Sequence, residues 1–260
     1  MEPPGYVCEA FGGVGGAVRL GGGEGRSWLA GAVVLKPCDD PVEWAWLADV
    51  LPTVVQDGFR LALPVRAFDG RWEVDGWCAQ LAVEGVHPPD GRWLQVLVVS
   101  AKLHAAIAQL WRPAFIDARV HPWSIGDRVA WAEAEPPYGS DLLDHLLSVR
   151  RHVELPSQVI HGDLSGNVLF AEDPATPPAV IDVTPYWRPA GLASAIVVAD
   201  AMVWRGAEPG PLLGACGQVA EFPQLFVRAL IYRLVTSILF GADDLSAYVP
   251  AVELALRLAG

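Results

Sequence analysis

His161-Gly162-Asp163-Leu164-Ser165-Gly166-Asn167-Val168-Leu169-Phe170, followed by Ala179-Val180-Ile181-Asp182, is the stretch on which the reading of this chain turns. A carboxylate and a carboxamide stand four residues apart on a glycine-containing turn, and an apolar strand ends on a second carboxylate 19 residues after the first. Taken singly, Asp163 reads as a helix cap and Asp182 as a strand-end cap, and short motifs match by chance. Taken together, with apolar runs on both sides, they read as parts for phosphoryl transfer. That chemistry uses one carboxylate to orient or deprotonate a hydroxyl, and oxygen ligands to hold magnesium on a nucleotide.

Upstream, residues 12–25 are glycine-rich, ending in Gly21-Gly22-Gly23-Glu24-Gly25. Such a run brings backbone N–H groups close to phosphates. Two strands are expected next, Arg26 to Ala30 and Ala32 to Lys36, joined at Gly31. Alternation puts Ala32, Val34 and Lys36 on one strand face. A lysine ending an apolar strand commonly snorkels to solvent. This one, however, belongs to a chain with only two lysines, Lys36 and Lys102, among 18 basic residues, so it persists where arginine's different shape and hydration do not serve. No Gly-Lys-Ser/Thr follows the glycines, so this is not a Walker A loop, and no βαβ unit supports a dinucleotide fold.

Asp40-Pro41-Val42-Glu43 opens a helix, with Asp at the N-cap, Pro at N1 and Glu at N3. Strand-like runs follow near 61–68 and 76–83. The Pro/Gly-rich stretch 84–91 reads as a linker. Beyond it the periodicity is helical over 93–110, 141–153, 190–204, 222–240 and 245–258, interrupted by one β-like stretch over 159–183. The expected layout is α+β: a small β-rich lobe over 1–86, with a hinge at 82–86, and a larger helical lobe over 87–260.

Composition narrows the function classes. With 52% hydrophobic and 18% charged residues the chain is expected to fold. A net charge of −12 without a basic run argues against nucleic acids and anionic membranes. No apolar stretch reaches the ~20 residues of a membrane span, and residues 1–5 lack the features of a secretory leader. Cys8, Cys38, Cys78 and Cys216 form no Cys-x-x-Cys pair, arguing against zinc or a disulfide framework. A cytoplasmic location is the expectation. His104 and His121 have no ligand-spaced partner, and the 11 tryptophans read mainly as packing. Trp187, just after the second carboxylate, is the one placed where an acceptor could stack.

The order glycine-rich loop, strand Lys, helix Glu, hinge, His-Gly-Asp…Asn and Ile-Asp resembles the aminoglycoside phosphotransferase and small-molecule kinase family, with its two-lobed protein-kinase-like fold. The resemblance spans nearly the whole chain. It is nearest to an actinobacterial branch of unassigned substrate, through Gly25-Arg26-Ser27-Trp28, Val34-Leu35-Lys36-Pro37, Asp127-Arg128-Val129-Ala130-Trp131 and Tyr186-Trp187-Arg188-Pro189. It implies ATP and Mg2+ as cofactors and a hydroxyl on a small molecule as acceptor. Gly21, Gly22, Gly23 and Gly25 would cradle phosphates, and Lys36, paired with Glu43, would contact them. Val34 and Leu169 would sandwich adenine, while Ala82, Val83 and Glu84 would bind its edge. Asp163 would be the catalytic carboxylate, Asn167 and Asp182 the metal ligands, and His161 a brace for the loop.

Two departures stand out. The family's Asn follows its Asp by five residues rather than four, and Thr184 stands where an acidic residue is frequent. They define the rival expectation, a non-catalytic nucleotide-binding pseudokinase; nucleotidyl transfer on the same fold is a third. Glu43 retains two readings, a capping-box residue reaching back to Asp40 or the partner of Lys36. The charge balance favours a neutral or cationic acceptor over a polyanion, and oligomeric state is open.

Overall fold

The computed structural model describes residues 1–21, 25–88 and 91–260. In chain order its strands are β1 (Val18–Arg19), β2 (Trp28–Ala30), β3 (Val33–Pro37), β4 (Arg60–Leu61), β5 (Pro64–Val65), β6 (Trp77–Leu81), β7 (Gln158–His161), β8 (Val168–Leu169), β9 (Ala179–Val180) and β10 (Pro185–Arg188). Its α-helices are α1 (Gly5–Ala10), α2 (Pro41–Val50), α3 (Trp93–Ala106), α4 (Pro122–Ala130), α5 (Asp141–Val149), α6 (Gly191–Arg205), α7 (Pro209–Ala215), α8 (Phe222–Leu239) and α9 (Val249–Ala259).

The chain forms two units. The first comprises Met1–Pro88 and Gly166–Val183, and the second Pro89–Ser165 and Thr184–Gly260. The sequence pattern places the boundary at 86/87 and keeps 87–260 as one uninterrupted lobe. Residues 166–183 instead go with the first unit because β9 pairs in parallel with β4, Arg60 opposite Ala179 and Leu61 opposite Val180, while β8 pairs with β9 as a hairpin.

The first unit is built on an antiparallel sheet of order β1-β2-β3-β6-β5. Alternation along β3 sends Val33 and Leu35 into a core with Val7, Phe11, Ala30, Trp77 and Ala79, and leaves Val34 and Lys36 half-buried on the other face. Helix α2 begins where the sequence places it. Asp40 Oδ1 accepts from the N–H groups of Val42 (2.9 Å) and Glu43 (3.0 Å), with Pro41 in the first turn. The run expected as one strand over 61–68 is two short strands in different sheets. Pro64 lacks the N–H needed to continue a ladder, so the pairing shifts there from β9 to β6.

The second unit pairs β7 with β10, Ile160 opposite Tyr186 and His161 opposite Pro185, and packs helices α3 to α9 around α6 and α8. Helix α8 has the length and hydropathy (mean 1.3) of a membrane span, yet 78% of it is buried inside the protein. It is the helix expected over 222–240, and Arg228 and Arg233, which interrupt its apolar run, are both buried and hydrogen-bonded. Helix α4 has no counterpart in the sequence reading, since it is short and starts on an unusual cap, His121 Nδ1 accepting from the Ser124 N–H.

Candidate active site

Four of the residues singled out at the glycine-rich loop fall on the connection between β1 and β2. Gly25 has φ +62 and its carbonyl accepts from Arg19 Nε at 2.7 Å. Gly21 is exposed. Gly22 and Gly23 lie outside the described residues.

Lys36 sits opposite Cys78 in the β3–β6 ladder. Its Nζ lies 2.6 Å from Asp182 Oδ1 and 4.9 Å from the centre of the Trp44 ring on α2. The strand lysine and the carboxylate that closes the Ile181-Asp182 strand, 146 residues apart, therefore meet in one ion pair. Asp182 holds a left-handed backbone, φ +48, which L-residues adopt at a cost and which gathers at functional sites. The Ile181 N–H donates to the Asn167 carbonyl at 3.0 Å, tying the two expected metal-ligand segments together. Glu43 lies in the first turn of α2, next to Trp44 in the chain, with its N–H held by Asp40 at 3.0 Å.

The segment Ala82-Val83-Glu84 is fixed by hydrogen bonds to its backbone at both ends. Ala82 N–H donates to Ala32 O (2.9 Å), and the Glu84 carbonyl accepts from Arg60 Nη2 (2.7 Å). Just beyond, Val86 and Phe170 exchange N–H···O bonds of 3.0 Å. Gly85 (φ +142) makes this approach possible, because a Cβ there would come within 2.8 Å of Leu169 Cβ. The expected adenine-edge segment and Leu169 are thus neighbours. Gly85 was missed as a site residue; its sequence signal was only that of a linker glycine.

In the second unit, β7 delivers His161 and the turn carrying Asp163. His161 is fully buried, and its Nδ1 accepts from the Asp163 N–H at 3.2 Å. Its own N–H donates to His104 Nε2 at 3.0 Å, while His104 Nδ1 bonds the Ser100 carbonyl at 2.6 Å. That pattern fixes His104 as a neutral imidazole protonated on Nδ1, and burial pulls its pKa down to about 4. His104, an ordinary histidine to the sequence, holds the loop together with His161. Gly162 is required beside them, since a Cβ would collide with the Tyr186 ring. The Thr184 carbonyl accepts from the Gly162 N–H at 2.9 Å.

Asp163 Oδ1 accepts from Arg233 Nη2 at 2.7 Å. Arg233 also donates to the fully buried Asp200 through Nε (2.7 Å) and Nη2 (2.6 Å). Burial pushes the Asp200 carboxyl up, and the adjacent guanidinium opposes it. Burial alone would lower Arg233; Asp200 and Asp163 reverse this and keep it charged. A cavity of about 210 Å³ opens here, lined by Asp163, Ser165, Asp200, Arg233 and the rings of Trp123 and Trp204 among others. Trp187, the aromatic expected beside an acceptor, does not line it. Trp123 on the missed helix α4 and Trp204 at the end of α6 do. Asp127 and Arg188, from two of the motifs quoted above, form a single network. Arg188 binds Asp127 through Nη2 (2.6 Å) and Glu133 through Nη1 (2.7 Å), and lies over the Trp131 ring at 5.0 Å.

Solved structures of the same architecture are phosphotransferases. A thermostable mutant of aminoglycoside phosphotransferase APH(4)-Ia superposes with a TM-score of 0.60 at 17% identity, over 98% of this chain and 97% of that one. This is a protein-kinase-like fold. Spectinomycin phosphotransferase APH(9)-Ia, solved with ADP and spectinomycin, gives 0.59 at 11% identity over 98% and 95% of the two chains. The choline kinase LicA from Streptococcus pneumoniae gives 0.59 at 11% over 98% and 96%. No protein-family model matches the sequence, and no curated protein matches it. The kinase-like fold is therefore carried by three-dimensional similarity, beside the residue pattern read above.

Proposed function

We propose that the chain is an ATP- and magnesium-dependent phosphotransferase that moves the γ-phosphoryl group to a hydroxyl of a small, neutral or cationic molecule. The observation that carries this reading is the ion pair of Lys36 with Asp182. A strand ammonium and a carboxylate on a strained backbone meet where the sequence order of a small-molecule kinase requires them. Support comes from the neighbours, solved with ADP and spectinomycin in one case and with AMP-PNP and hygromycin B in another.

The roles follow from chemistry. Lys36 binds nucleotide phosphates, with Glu43 as its further partner; Gly21, Gly22, Gly23 and Gly25 supply backbone donors. Val34 and Leu169 offer apolar faces to the base, and Ala82, Val83 and Glu84 offer their backbone to its edge. Among the described residues no group of three or more His, Cys, Asp or Glu is arranged to hold a metal. Magnesium needs fewer protein ligands, because it keeps waters and shares phosphate oxygens. Asn167 and Asp182 fit that demand, and the ion pair of Asp182 with the Lys36 ammonium supports a carboxylate that faces a cation. Bound there, magnesium would neutralise charge on the transferring phosphate. Asp163 holds the acceptor hydroxyl and takes its proton. The cavity beside it brings two carboxylates against one guanidinium, a net charge that suits a cation or a neutral polyol better than an anion. The spacing of Asp163 and Asn167 and the presence of Thr184 favour a second reading, a nucleotide-binding pseudokinase.

Incubation with magnesium ATP and a library of amino alcohols, amino sugars and neutral sugars, read by mass spectrometry, separates these. The proposal expects an acceptor gaining one phosphoryl group. Nucleotide binding with no turnover on any acceptor gives the pseudokinase reading, and a gain of AMP gives nucleotidyl transfer.

A further inference from the structure

We propose that Arg233 is a positioning residue that sets the side chain of Asp163; this rests on the reading of Asp163 as the carboxylate that faces the acceptor hydroxyl. One guanidinium serves two carboxylates. Its Nε and Nη2 form a fork on Asp200 at 2.7 and 2.6 Å, and the same Nη2 reaches Asp163 Oδ1 at 2.7 Å. The fork cannot swing. Side-chain exposure is 5% for Arg233 and 2% for Asp200, and the rings of Trp123 and Tyr232 lie 5.2 and 5.0 Å from the guanidinium carbon. Asp163 is different: it sits on a turn with a side chain 39% exposed to the cavity side. A carboxylate on a turn samples several rotamers unless something rigid holds it. Arg233, anchored through α8 to Asp200 on α6, is that rigid element.

A core ion pair alone does not account for the arrangement. Burying an arginine and an aspartate costs desolvation that their attraction barely returns, and apolar residues of like volume frequently serve stability as well or better. What apolar residues cannot do is present a fixed N–H to Asp163 while leaving the carboxylate charged. Lysine would be a poor substitute, since a point charge on a flexible stem cannot fork. Sequence reading missed Arg233, 70 residues after Asp163 in a helix whose apolar pattern marks it as core.

The test replaces the pair together, Arg233→Met with Asp200→Leu, so that no buried charge is left without a partner. Unfolding temperature, magnesium-ATP affinity by calorimetry, and transfer of labelled γ-phosphate to glucose, glucosamine, choline or water are measured in parallel. The positioning role predicts a folded variant with magnesium-ATP affinity within about twofold of the parent and kcat at least about tenfold lower. A folded double variant with parental kcat overturns the role of Arg233 while leaving the phosphotransferase reading intact. If the double variant does not fold, Arg233→Lys keeps the charge and loses the fork; kcat falling at least about fivefold at unchanged KM for ATP supports the role, and an unchanged kcat overturns it. A wild-type chain that transfers phosphate to none of these acceptors overturns the reading itself, and the role with it.

Discussion

Asp182 and Lys36 make the most specific statement at the scale of single residues. A left-handed φ of +48 on a non-glycine residue costs on the order of 1–3 kcal/mol, and an ion pair between a half-buried lysine and a carboxylate 37% exposed returns less than that in stability. The pair is thus better explained by chemistry than by folding. Asp182→Ala is expected to remove the magnesium-dependent part of the thermal stabilisation that ATP gives; an undiminished magnesium effect would place the metal elsewhere. His104 carries a second prediction. Its pKa is lowered to about 4 by burial, from an unfolded value near 6.5. The unfolded chain therefore binds this proton first as pH falls. The stability contributed by neutral His104 is full above about pH 6.5 and is lost progressively toward pH 4, by up to about 3 kcal/mol. Chemical denaturation across that window should show a shallower pH slope for His104→Gln than for the parent, and equal slopes would remove His104 from the account. The proposed Asp163, Asn167 and Asp182 set stands out in the sequence because its residues are close together and their types are restrictive. His104 was not, since its partner is the backbone of a strand 57 residues on, and no residue type announces that.

At the scale of elements, what was legible followed the strength of local signals. Helix α2 was found from its cap and its first proline, both of which act within one turn, and it starts at Pro41 as expected. Helix α4 was not found, because it is only nine residues long, carries Gly126 in mid-helix and starts on a histidine cap rather than on Ser, Thr, Asp or Asn. The split of the 61–68 run into β4 and β5 was hidden because pairing with β9 is a contact over more than 100 residues. Glu43, in the first turn of α2, is where local and distant demands meet. Its N–H is capped by Asp40 at 3.0 Å, while the proposed function gives its carboxylate to Lys36. Glutamine serves a capping box but does not neutralise an ammonium. Glu43→Gln should therefore cost under about 1 kcal/mol in unfolding free energy, yet weaken ATP binding or turnover at least about tenfold. Nucleotide handling that survives the change, with Glu43→Ala destabilising the fold, would make Glu43 a cap only.

For the whole molecule, a charge of −12 and the absence of any basic run argue against a polyanionic partner, and the fold is protein-kinase-like. What composition could not show was the cavity beside Asp163, assembled from α4, α6, α8 and the turn after β7. Trp123 comes from α4, which the sequence did not signal, and Trp204, Asp200 and Arg233 come from α6 and α8, whose apolar patterns mark core helices. The central claim is that Asp163 faces the hydroxyl that receives phosphate. Single-turnover transfer of γ-phosphate from magnesium ATP, compared between the parent and Asp163→Asn on the best acceptor found, addresses it directly. Asparagine keeps the size and polarity but cannot take the proton. The account predicts ATP affinity within a few-fold and transfer slower by about 10²-fold or more; transfer at the parental rate would contradict it.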